Sequence, residues 1–341
     1  MKQFDRGYLQ IASYSMTFMS LLDIANPTWG ALNDPVASDG TVLIVVPEAT
    51  VEVASARSRK VTTSPSFTGD PALQNSDLPT LGVTMYGSDG TLPDYILQEE
   101  KNSVSTSPFG SRVLPRTIIG QDYRQQLRST NFPAKAVVYI TFKSGAQSGV
   151  CTGWMIGKDT VATAGHCVHS GGSTGEWYQN HVAYPGRDRR RAPYGSCKAT
   201  RTWSVNGWIE ERNPEYDYGA LKLNCDVGNR TGWFGFYWQR DFLNEPVAVQ
   251  GYPGDKPSGT QWLDVDKNRC NSTRKVFYKL DTFGGMSGGP IWNSTAHDGA
   301  YAMGIHTNGA PSYGCNGTYN SGVRITEGVF DNLKAWIDSA K

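Results

Sequence analysis

The heptapeptide Gly284-Gly285-Met286-Ser287-Gly288-Gly289-Pro290 contains one nucleophilic side chain, the hydroxyl of Ser287. A serine hydroxyl attacks a carbonyl efficiently only when a base takes its proton and hydrogen-bond donors hold the resulting oxyanion. Glycines on both sides allow the tight turn that aims two backbone amides, those of Gly285 and Ser287, at one point. Glycine-rich serine loops also occur without any chemistry, so the rest of the chain decides whether this one is catalytic.

The composition of the chain excludes some classes of function. Its 341 residues carry a formal net charge of +1, so no overall field draws it to nucleic acid or to a membrane, and we expect neither as a partner. No apolar run reaches the roughly 20 residues of a transmembrane helix. The 38 glycines and 18 prolines are typical of many short strands joined by turns.

The cysteines indicate an oxidising compartment. There are six, at Cys151, Cys167, Cys197, Cys225, Cys270 and Cys315. An even number without a CxxC pair favours three disulfide bonds over zinc or redox chemistry, and we therefore expect a secreted, extracellular protein. A signal peptide is not clearly present, because Lys2 is soon followed by Asp5 and Arg6, and hydroxyl residues interrupt the apolar stretch from Ile11 to Leu22.

The cysteines also divide the chain, since all six lie in residues 117–341 and none in residues 1–116. The first part has one clear strand candidate, Val42 to Val53, followed by a Ser/Thr/Pro-rich linker. Arg116, exposed after such a linker, is a natural site for proteolytic nicking. We interpret residues 1–116 as a propeptide and linker, and residues 117–341 as the domain that cleavage releases.

Short apolar segments recur from Ala136 onward, which predicts antiparallel barrels or a sandwich rather than βαβ units. The expected strands are Ala136–Phe142, Gly149–Ile156, Thr160–Ala164, Ala199–Val205, Gly219–Leu223, Val247–Gly251, Val276–Asp281, Pro290–Trp292 and Ala300–His306. Near the end, apolar residues from Val329 to Ile337 recur at helical spacing. They predict a C-terminal amphipathic helix with Thr326 as its N-cap.

A base for Ser287 is expected among the histidines, whose pKa lies near neutral pH. His166 follows an apolar strand in Thr163-Ala164-Gly165-His166-Cys167, and Cys151 lies on the strand before it. A disulfide between Cys151 and Cys167 would hold the histidine loop against that strand. We therefore favour His166 as the base over the alternative of a surface or packed histidine.

The carboxylate that orients such a histidine is expected to be buried at the end of a strand. Asp217 lies between two tyrosines and precedes a predicted strand; the alternative is an ordinary turn aspartate. The chain order His166, Asp217, Ser287 is that of the chymotrypsin arrangement and differs from the subtilisin and α/β-hydrolase orders.

Two of these motifs, residues 163–167 and 285–290, resemble the chymotrypsin superfamily. The resemblance narrows with four further motifs: Cys151-Thr152-Gly153-Trp154-Met155-Ile156-Gly157, Tyr216-Asp217-Tyr218-Gly219-Ala220, Gly251-Tyr252-Pro253-Gly254-Asp255-Lys256 and His306-Thr307-Asn308-Gly309. Together they resemble the bacterial glutamyl endopeptidases, the V8-like branch, from about Thr117 to Lys341. Residues 1–116 lie outside the resemblance.

The resemblance implies an all-β fold of two six-stranded antiparallel β-barrels, chymotrypsin-like, with a C-terminal helix and a preceding propeptide. It makes His166 the general base, Asp217 its orienting partner and Ser287 the nucleophile, with the amides of Gly285 and Ser287 forming the oxyanion hole. The chymotrypsin fold also sets the strands of Cys197 and Cys225 side by side. That implies a second disulfide and leaves Cys270 with Cys315.

The specificity of such an enzyme depends on the charges in its pocket. In the glutamyl family, residues at the positions of Thr282 and His306 contact the substrate carboxylate, and in some members the free α-amino group helps, which here would be that of Thr117. Against this stands Asp281, at the position where trypsin-like enzymes carry the acid that selects Lys or Arg. We favour Glu, and keep basic or broad specificity as the alternative.

Met286 is a second departure from trypsin-like enzymes, which carry Asp at this position and pair it with the new N-terminus on activation. Methionine cannot form that pair. The expected role for the new α-amino group is instead to complete the substrate pocket.

The sequence thus predicts a secreted, monomeric serine endopeptidase, made as a zymogen, that cleaves polypeptides after Glu and less readily after Asp. Its partners would be polypeptide substrates and its own propeptide. We expect no cofactor and no catalytic metal, because no carboxylate completes the metal-like spacing of His166 and His169. An inactive relative that only binds is the alternative from another functional class.

Overall fold

In a computed structural model, the structure describes residues 32–41, 43, 118–238, 246–293, 300–310 and 315–341. The strands are β1 (Pro35–Ala37), β2 (Gln125–Gln126), β3 (Val137–Ser144), β4 (Gln147–Met155), β5 (Thr160–Thr163), β6 (Gln179–Pro185), β7 (Cys197–Val205), β8 (Gly219–Leu223), β9 (Gly235–Phe236), β10 (Pro246–Gly251), β11 (Trp262–Asn271), β12 (Lys275–Tyr278), β13 (Pro290–Asn293), β14 (Tyr301–Asn308) and β15 (Asn320–Arg324). The helices are α1 (Asn206–Ile209), α2 (Gly228–Thr231) and α3 (Glu327–Asp338). No helix of these residues is long and apolar enough to cross a membrane.

Twelve of the strands close into two antiparallel barrels of six strands each. The first follows the order β7-β6-β3-β4-β5-β8 and closes where β7 pairs with β8. The second follows the order β10-β13-β14-β15-β12-β11 and closes where β10 pairs with β11. Closure pairs the backbone groups that an open sheet would leave at its edges. The predicted fold class is therefore confirmed.

Three short strands lie outside the two cylinders. β2 pairs with β11, and β9 pairs with β14 in the parallel direction. β1 comes from the part interpreted as propeptide, yet it pairs with β7 of the first barrel. The strand expected from Val42 to Val53 lies outside the described residues, apart from Leu43, which is not in a strand.

The C-terminal helix packs against the first barrel as its apolar repeat predicts. It begins after Thr326, whose side chain accepts a hydrogen bond from the amide of Val329. Its apolar face buries four large side chains, each of which contributes about 2 kcal/mol by leaving water. They are Val329, Phe330, Leu333 and Trp336. The Trp336 ring stacks on Trp203 of β7, with ring centroids 6.2 Å apart. The predicted helix and its N-cap are confirmed.

Three disulfide bonds are present, in the pairing that the sequence and the resemblance led us to expect. Cys151–Cys167 joins β4 to the histidine turn, with 6.1 Å between the Cα atoms. Cys197–Cys225 joins the start of β7 to the segment after β8. Cys270–Cys315 joins β11 to the segment before β15.

Candidate active site

His166 lies in a single turn of 3-10 helix, Gly165–Cys167, directly after β5. Its backbone amide donates to Asp217 Oδ1 at 2.8 Å, and its Nδ1 lies 2.7 Å from Asp217 Oδ2. One carboxylate therefore fixes both the turn and the ring of the same histidine. Because Nδ1 faces the carboxylate, Nε2 is the ring nitrogen that points away from Asp217.

Asp217 is positioned by the local structure before β8. Pro214–Tyr216 form a 3-10 turn, capped by the side chain of Asn213, and Asp217 follows at its end. The residue is 1% exposed, and its carboxylate is held by His166 inside the protein rather than by solvent. The structure thus brings together the two residues that the sequence placed 51 positions apart.

Ser287 lies in the loop between β12 and β13, and its glycines adopt the conformations that the turn requires. Gly285 has φ = +99° and Gly288 has φ = +85°, a region that favours glycine. At Gly288 a Cβ atom would lie 2.2 Å from both Thr152 O and Thr163 Oγ1. The loop therefore lies directly against the strand that leads to His166. The carbonyl oxygen of Ser287 is 3.7 Å from Cys167 Sγ.

Thr152 of β4 holds this loop through two hydrogen bonds. Its amide donates to the Ser287 carbonyl at 2.8 Å, and its hydroxyl donates to the Gly285 carbonyl at 2.7 Å. The Thr152 carbonyl in turn accepts from Thr163 Oγ1 at 2.8 Å, just before the histidine turn. Sequence reasoning missed this role, although Thr152 lies next to Cys151, whose partner follows His166.

The backbone amides of the loop divide into two groups. Met286, Gly288 and Gly289 donate to the carbonyls of Phe283, His306 and Met286. Within the described part of the chain, the amides of Gly285 and Ser287 have no hydrogen-bond partner. Two unpaired donors on one tight turn are what an oxyanion hole requires.

The Asp281 carboxylate is engaged by the start of the predicted catalytic domain. Its Oδ1 accepts from the amide of Ile119 at 2.7 Å, and its Oδ2 accepts from the amide of Tyr123 at 2.9 Å. The residue is 1% exposed. Both oxygens thus have backbone partners. Ile119, two residues after Thr117, is bonded to Asp281, the residue before Thr282. Thr117 itself lies outside the described residues.

A second contact holds the same segment. Arg124 forms a fork on Asp255, with Arg124 Nη1 3.0 Å from Asp255 Oδ1, and its Nε donates to Asp122 at 2.9 Å. Lys256 donates to Asp122 at 2.7 Å. The Asp255-Lys256 motif, noted in the sequence only for its resemblance, therefore fixes the segment that follows the expected cleavage site.

His306 lies on β14 and is paired with the nucleophile loop on both sides of its backbone. Its amide donates to the Gly289 carbonyl at 2.9 Å, and its carbonyl accepts from the Gly288 amide at 2.7 Å. Its Nδ1 lies 2.6 Å from the Tyr278 hydroxyl. Burial, with a smaller contribution from the neighbouring His166 and Lys275, lowers the pKa of His306 to about 3, so the imidazole is neutral at neutral pH. Thr282 is likewise buried.

Lys275 is a buried cation that sequence reasoning missed. Its Nζ contacts only neutral oxygens, those of Asn308 at 2.8 Å, Thr307 at 3.1 Å and Pro214 at 3.3 Å. It forms no ion pair with any described residue. Burial lowers the pKa of Lys275 to about 8, against the opposite effect of Asp217 and Glu215. A buried charge without a counter-ion is a common mark of a functional site; here the signal was a lysine at the start of an apolar strand.

Comparison with known proteins identifies the family of the chain. Residues 123–337 match the Trypsin family. A glutamyl endopeptidase of Bacillus licheniformis is 37% identical over 301 residues, which cover 86% of this chain and 90% of that protein. A Bacillus subtilis protein named extracellular metalloprotease is 40% identical over 229 residues, 65% of this chain and 70% of that protein. A solved structure of a Glu endopeptidase in complex with MPD is 26% identical with a TM-score of 0.59, covering 65% of this chain and all of that one.

The chain belongs to the trypsin family. It is a serine endopeptidase with glutamyl endopeptidases among its relatives, and the two β-barrels are the chymotrypsin-like fold of that family. Met286, beside Ser287, is fully buried among apolar residues of the second barrel.

The name of the Bacillus subtilis relative raises the question of a metal. Among the described residues, one group of candidate ligands clusters, with the donor atoms of Cys151, His166 and Cys167 within 4.8 Å of one another. The two sulfurs are bonded to each other, whereas a metal binds free thiolates. The remaining ligand, His166, has its Nδ1 on Asp217. This set does not fit a metal, and we derive no step through one.

Gly284, before Ser287, and Gly288, directly after it, offer a matched test. Gly288→Ala is expected to lower kcat by about 10²-fold or more, because its Cβ atom would displace the loop and with it an oxyanion donor. Gly284→Ala adds the same methyl group where no atom lies within 4 Å, and should leave kcat nearly unchanged. The measurements are kcat on a peptide substrate and the rate at which an organophosphonate labels Ser287. Equal losses in the two variants would contradict the assigned geometry.

Proposed function

We propose that the protein is a secreted endopeptidase, made as a zymogen, that hydrolyses peptide bonds after Glu and less readily after Asp. Two buried residues carry this proposal: His306, which pairs with the nucleophile loop, and Lys275, which contacts the two residues after His306. In addition, the Asp281 carboxylate is already engaged by backbone amides. The three disulfides support secretion, since such bonds persist in oxidising surroundings.

In the proposed mechanism, Ser287 Oγ attacks the carbonyl carbon of the scissile bond while His166 takes its proton. The tetrahedral oxyanion is held by the amides of Gly285 and Ser287. His166 then protonates the leaving amine, which frees the first product and leaves an acyl-enzyme on Ser287. Water, activated by the same histidine, hydrolyses the ester, and Asp217 keeps the ring oriented through both halves of the cycle.

A Glu side chain entering the pocket needs donors and positive charge to replace its water. His306 is neutral, so it would act as an N–H donor rather than as a cation. Thr282 would offer its hydroxyl. The positive charge would come from Lys275, which contacts the residues that follow His306. Lys275 thereby gives the pocket a field that favours a carboxylate over an ammonium group.

The alternative of basic specificity depends on Asp281. A pocket acid that selects Lys or Arg has to present its carboxylate to the substrate cation. Here both oxygens of Asp281 accept backbone hydrogen bonds from the segment that begins the catalytic domain. This arrangement favours Glu, and it gives Asp281 the role of holding that segment beside the pocket.

The same contacts suggest how the zymogen would be activated. Cleavage after Arg116 would leave a free α-amino group on Thr117, two residues before the amide that Asp281 binds. Met286 lies in an apolar core and cannot receive that amine as an ion pair. The proposed destination is the substrate pocket, where the amine would add a second positive charge next to His306.

A panel of peptides that differ only in the residue before the scissile bond tests the specificity. We expect Glu first, Asp second, and Lys and Arg last. His306→Ala should lower kcat/KM on the Glu peptide at least about tenfold more than on the matched Ala peptide, the loss of one charge-assisted hydrogen bond. Equal losses on both peptides would refute the role of His306. A tenfold preference for Lys over Glu would refute the pocket assignment.

The pH dependence of specificity tests Lys275. Its pKa of about 8 means that it is charged below that pH and neutral above it. The ratio of kcat/KM on the Glu peptide to that on the Ala peptide should therefore fall as the pH rises through about 8, since kcat/KM reports the free enzyme. Lys275→Arg keeps the charge and should hold the ratio constant over this range. Lys275→Met should show a low ratio throughout; a wild-type ratio in that variant would exclude Lys275 from the pocket field.

An N-terminal extension tests the role of the amine. One additional residue before Thr117 should lower kcat/KM on the Glu peptide, because it moves the α-amino group beyond the pocket, and should spare the Ala peptide. The measurement is kcat/KM on both peptides after the N-terminus has been verified by sequencing. Undiminished cleavage after Glu would show that the amine does not take part.

A further inference from the structure

We propose that residues 32–41, here called the anchor segment, are the part of the prosegment that binds the catalytic domain, and that they stay bound noncovalently after the chain is cut. This rests on the proposed zymogen but does not depend on the proposed specificity. The anchor segment binds by strand addition to the first barrel and by one asparagine to the wall behind Asp217.

The strand addition uses an edge of β7 that the barrel leaves open. β6 pairs with β7 only at Cys197 and Lys198, so the later residues of β7 lack a partner on that side. β1 fills this gap, with Val36 opposite Ser204. Hydrogen bonds continue beyond the strand at both ends, from Ser38 N to Thr202 O at 2.9 Å and from Asn206 N to Asp34 O at 3.1 Å. An exposed strand edge is a ready site for an added strand.

The anchor segment binds to the first barrel but is not one of the six strands that close it. The first barrel closes through its β7–β8 pairing, without any contribution from β1. Removing β1 would therefore uncover an edge without opening the cylinder. Because the barrel is closed without β1, the anchor segment can bind it or leave it as a separate piece. A prosegment needs this property once the chain is cut.

Asn33 makes the second part of the contact and joins three elements. Its Oδ1 accepts from the Tyr218 hydroxyl at 3.0 Å and from Arg274 at 3.4 Å. Its carbonyl accepts from Asn332 Nδ2 of α3 at 2.7 Å. At Gly328 of the same helix a Cβ atom would lie 2.1 Å from Asn33 Nδ2, so the helix has glycine where the segment approaches.

These contacts place the anchor segment directly behind the catalytic aspartate. Tyr218 follows Asp217 in the chain and Tyr216 precedes it. Arg274, which donates to Asn33, lies 4.0 Å from the centroid of the Tyr216 ring. Asn33 thus contacts Tyr218 directly and is linked to Tyr216 through Arg274, and these two tyrosines enclose Asp217. An ion pair from Arg201 to Asp39, 2.6 Å long and partly exposed, adds little binding energy.

The proposal can be tested on the full chain without relying on activity. A recognition site for a specific protease is inserted into the Ser/Thr/Pro-rich linker after Lys60, and Ser287→Ala prevents self-digestion. After cleavage under native conditions, gel filtration should show the N-terminal piece co-eluting with the rest of the chain. Its separation from the catalytic domain would overturn the proposal, as would elution as a dimer with exchanged segments.

Two variants at one position separate strand pairing from other contacts. In an antiparallel ladder bonded pairs alternate, and the bonds of Asp34 and Ser38 make Val36 a bonded position. Val36→Pro removes that amide and should release the N-terminal piece, whereas Val36→Thr keeps it and should retain the piece. Retention in both variants would overturn binding through β1.

Hydrogen exchange in the uncut chain covers the case in which the proline variant does not survive cleavage. The amides of Asn206 and Gly207 donate to Asp34 and Leu32 of the anchor segment. In Val36→Pro their exchange should accelerate by at least about tenfold. The amides of β12 and β15 should keep their protection, which distinguishes loss of the anchor from general unfolding. Unchanged exchange at both amides would contradict the assigned contact.

Discussion

The two hydrogen bonds that Thr152 makes to the loop of Ser287 connect the two halves of the candidate catalytic site. His166 and Asp217 belong to the first barrel, whereas Ser287 belongs to the second, and neither barrel alone holds all three. Thr152 lies on β4 of the first barrel and binds the carbonyls of Ser287 and Gly285. These carbonyls belong to the two residues whose amides are unpaired, so the bonds to β4 restrain the backbone of the loop that carries those amides. Such preorganisation is what makes electrostatic stabilisation of an oxyanion effective.

Both buried carboxylates of the site accept hydrogen bonds from backbone amides or from a histidine ring. Asp217 accepts a hydrogen bond from the amide of His166 and pairs with the Nδ1 of its ring. Asp281 accepts hydrogen bonds from the amides of Ile119 and Tyr123. A buried carboxylate with such donors is stable without a counter-ion. Lys275 is therefore not neutralised by either acid in direct contact. The surplus of buried positive charge next to His306 is the physical basis for expecting an acidic substrate.

The sequence predicted the fold and the candidate triad because both depend on strong local patterns. Glycines around a serine, a histidine beside a cysteine, and an aspartate before an apolar strand are each recognisable, and the observed barrels agree with the expected class. Strands β6, β11 and β15 were not predicted, because they carry many polar residues and their pairing comes from barrel closure rather than from intrinsic preference. β1 was missed for a related reason, since Pro35–Ala37 has no strand signature and becomes a strand only by filling an edge of β7.

The position of Asp281 shows where sequence reasoning had to stop. Its charge is visible in the sequence, but its partners lie 162 and 158 residues away. No local pattern tells whether a carboxylate faces the pocket or a distant backbone segment. The sequence alone therefore left both Glu specificity and basic specificity open at this position.

These constraints together limit how the proposed cleavage after Arg116 could act. The nucleophile loop already has its positive-φ glycines and its bonds to Thr152 in the uncut chain. Both barrels are closed, and Met286 is buried in the apolar cluster of the second barrel. The proposed activation would therefore not need to form the oxyanion hole, because the loop that carries it is already in place. The proposed cleavage would add one positive charge to a segment that Asp281 and Asp255 hold in place. A single charge there would affect the binding of a charged substrate more than the chemistry of the serine.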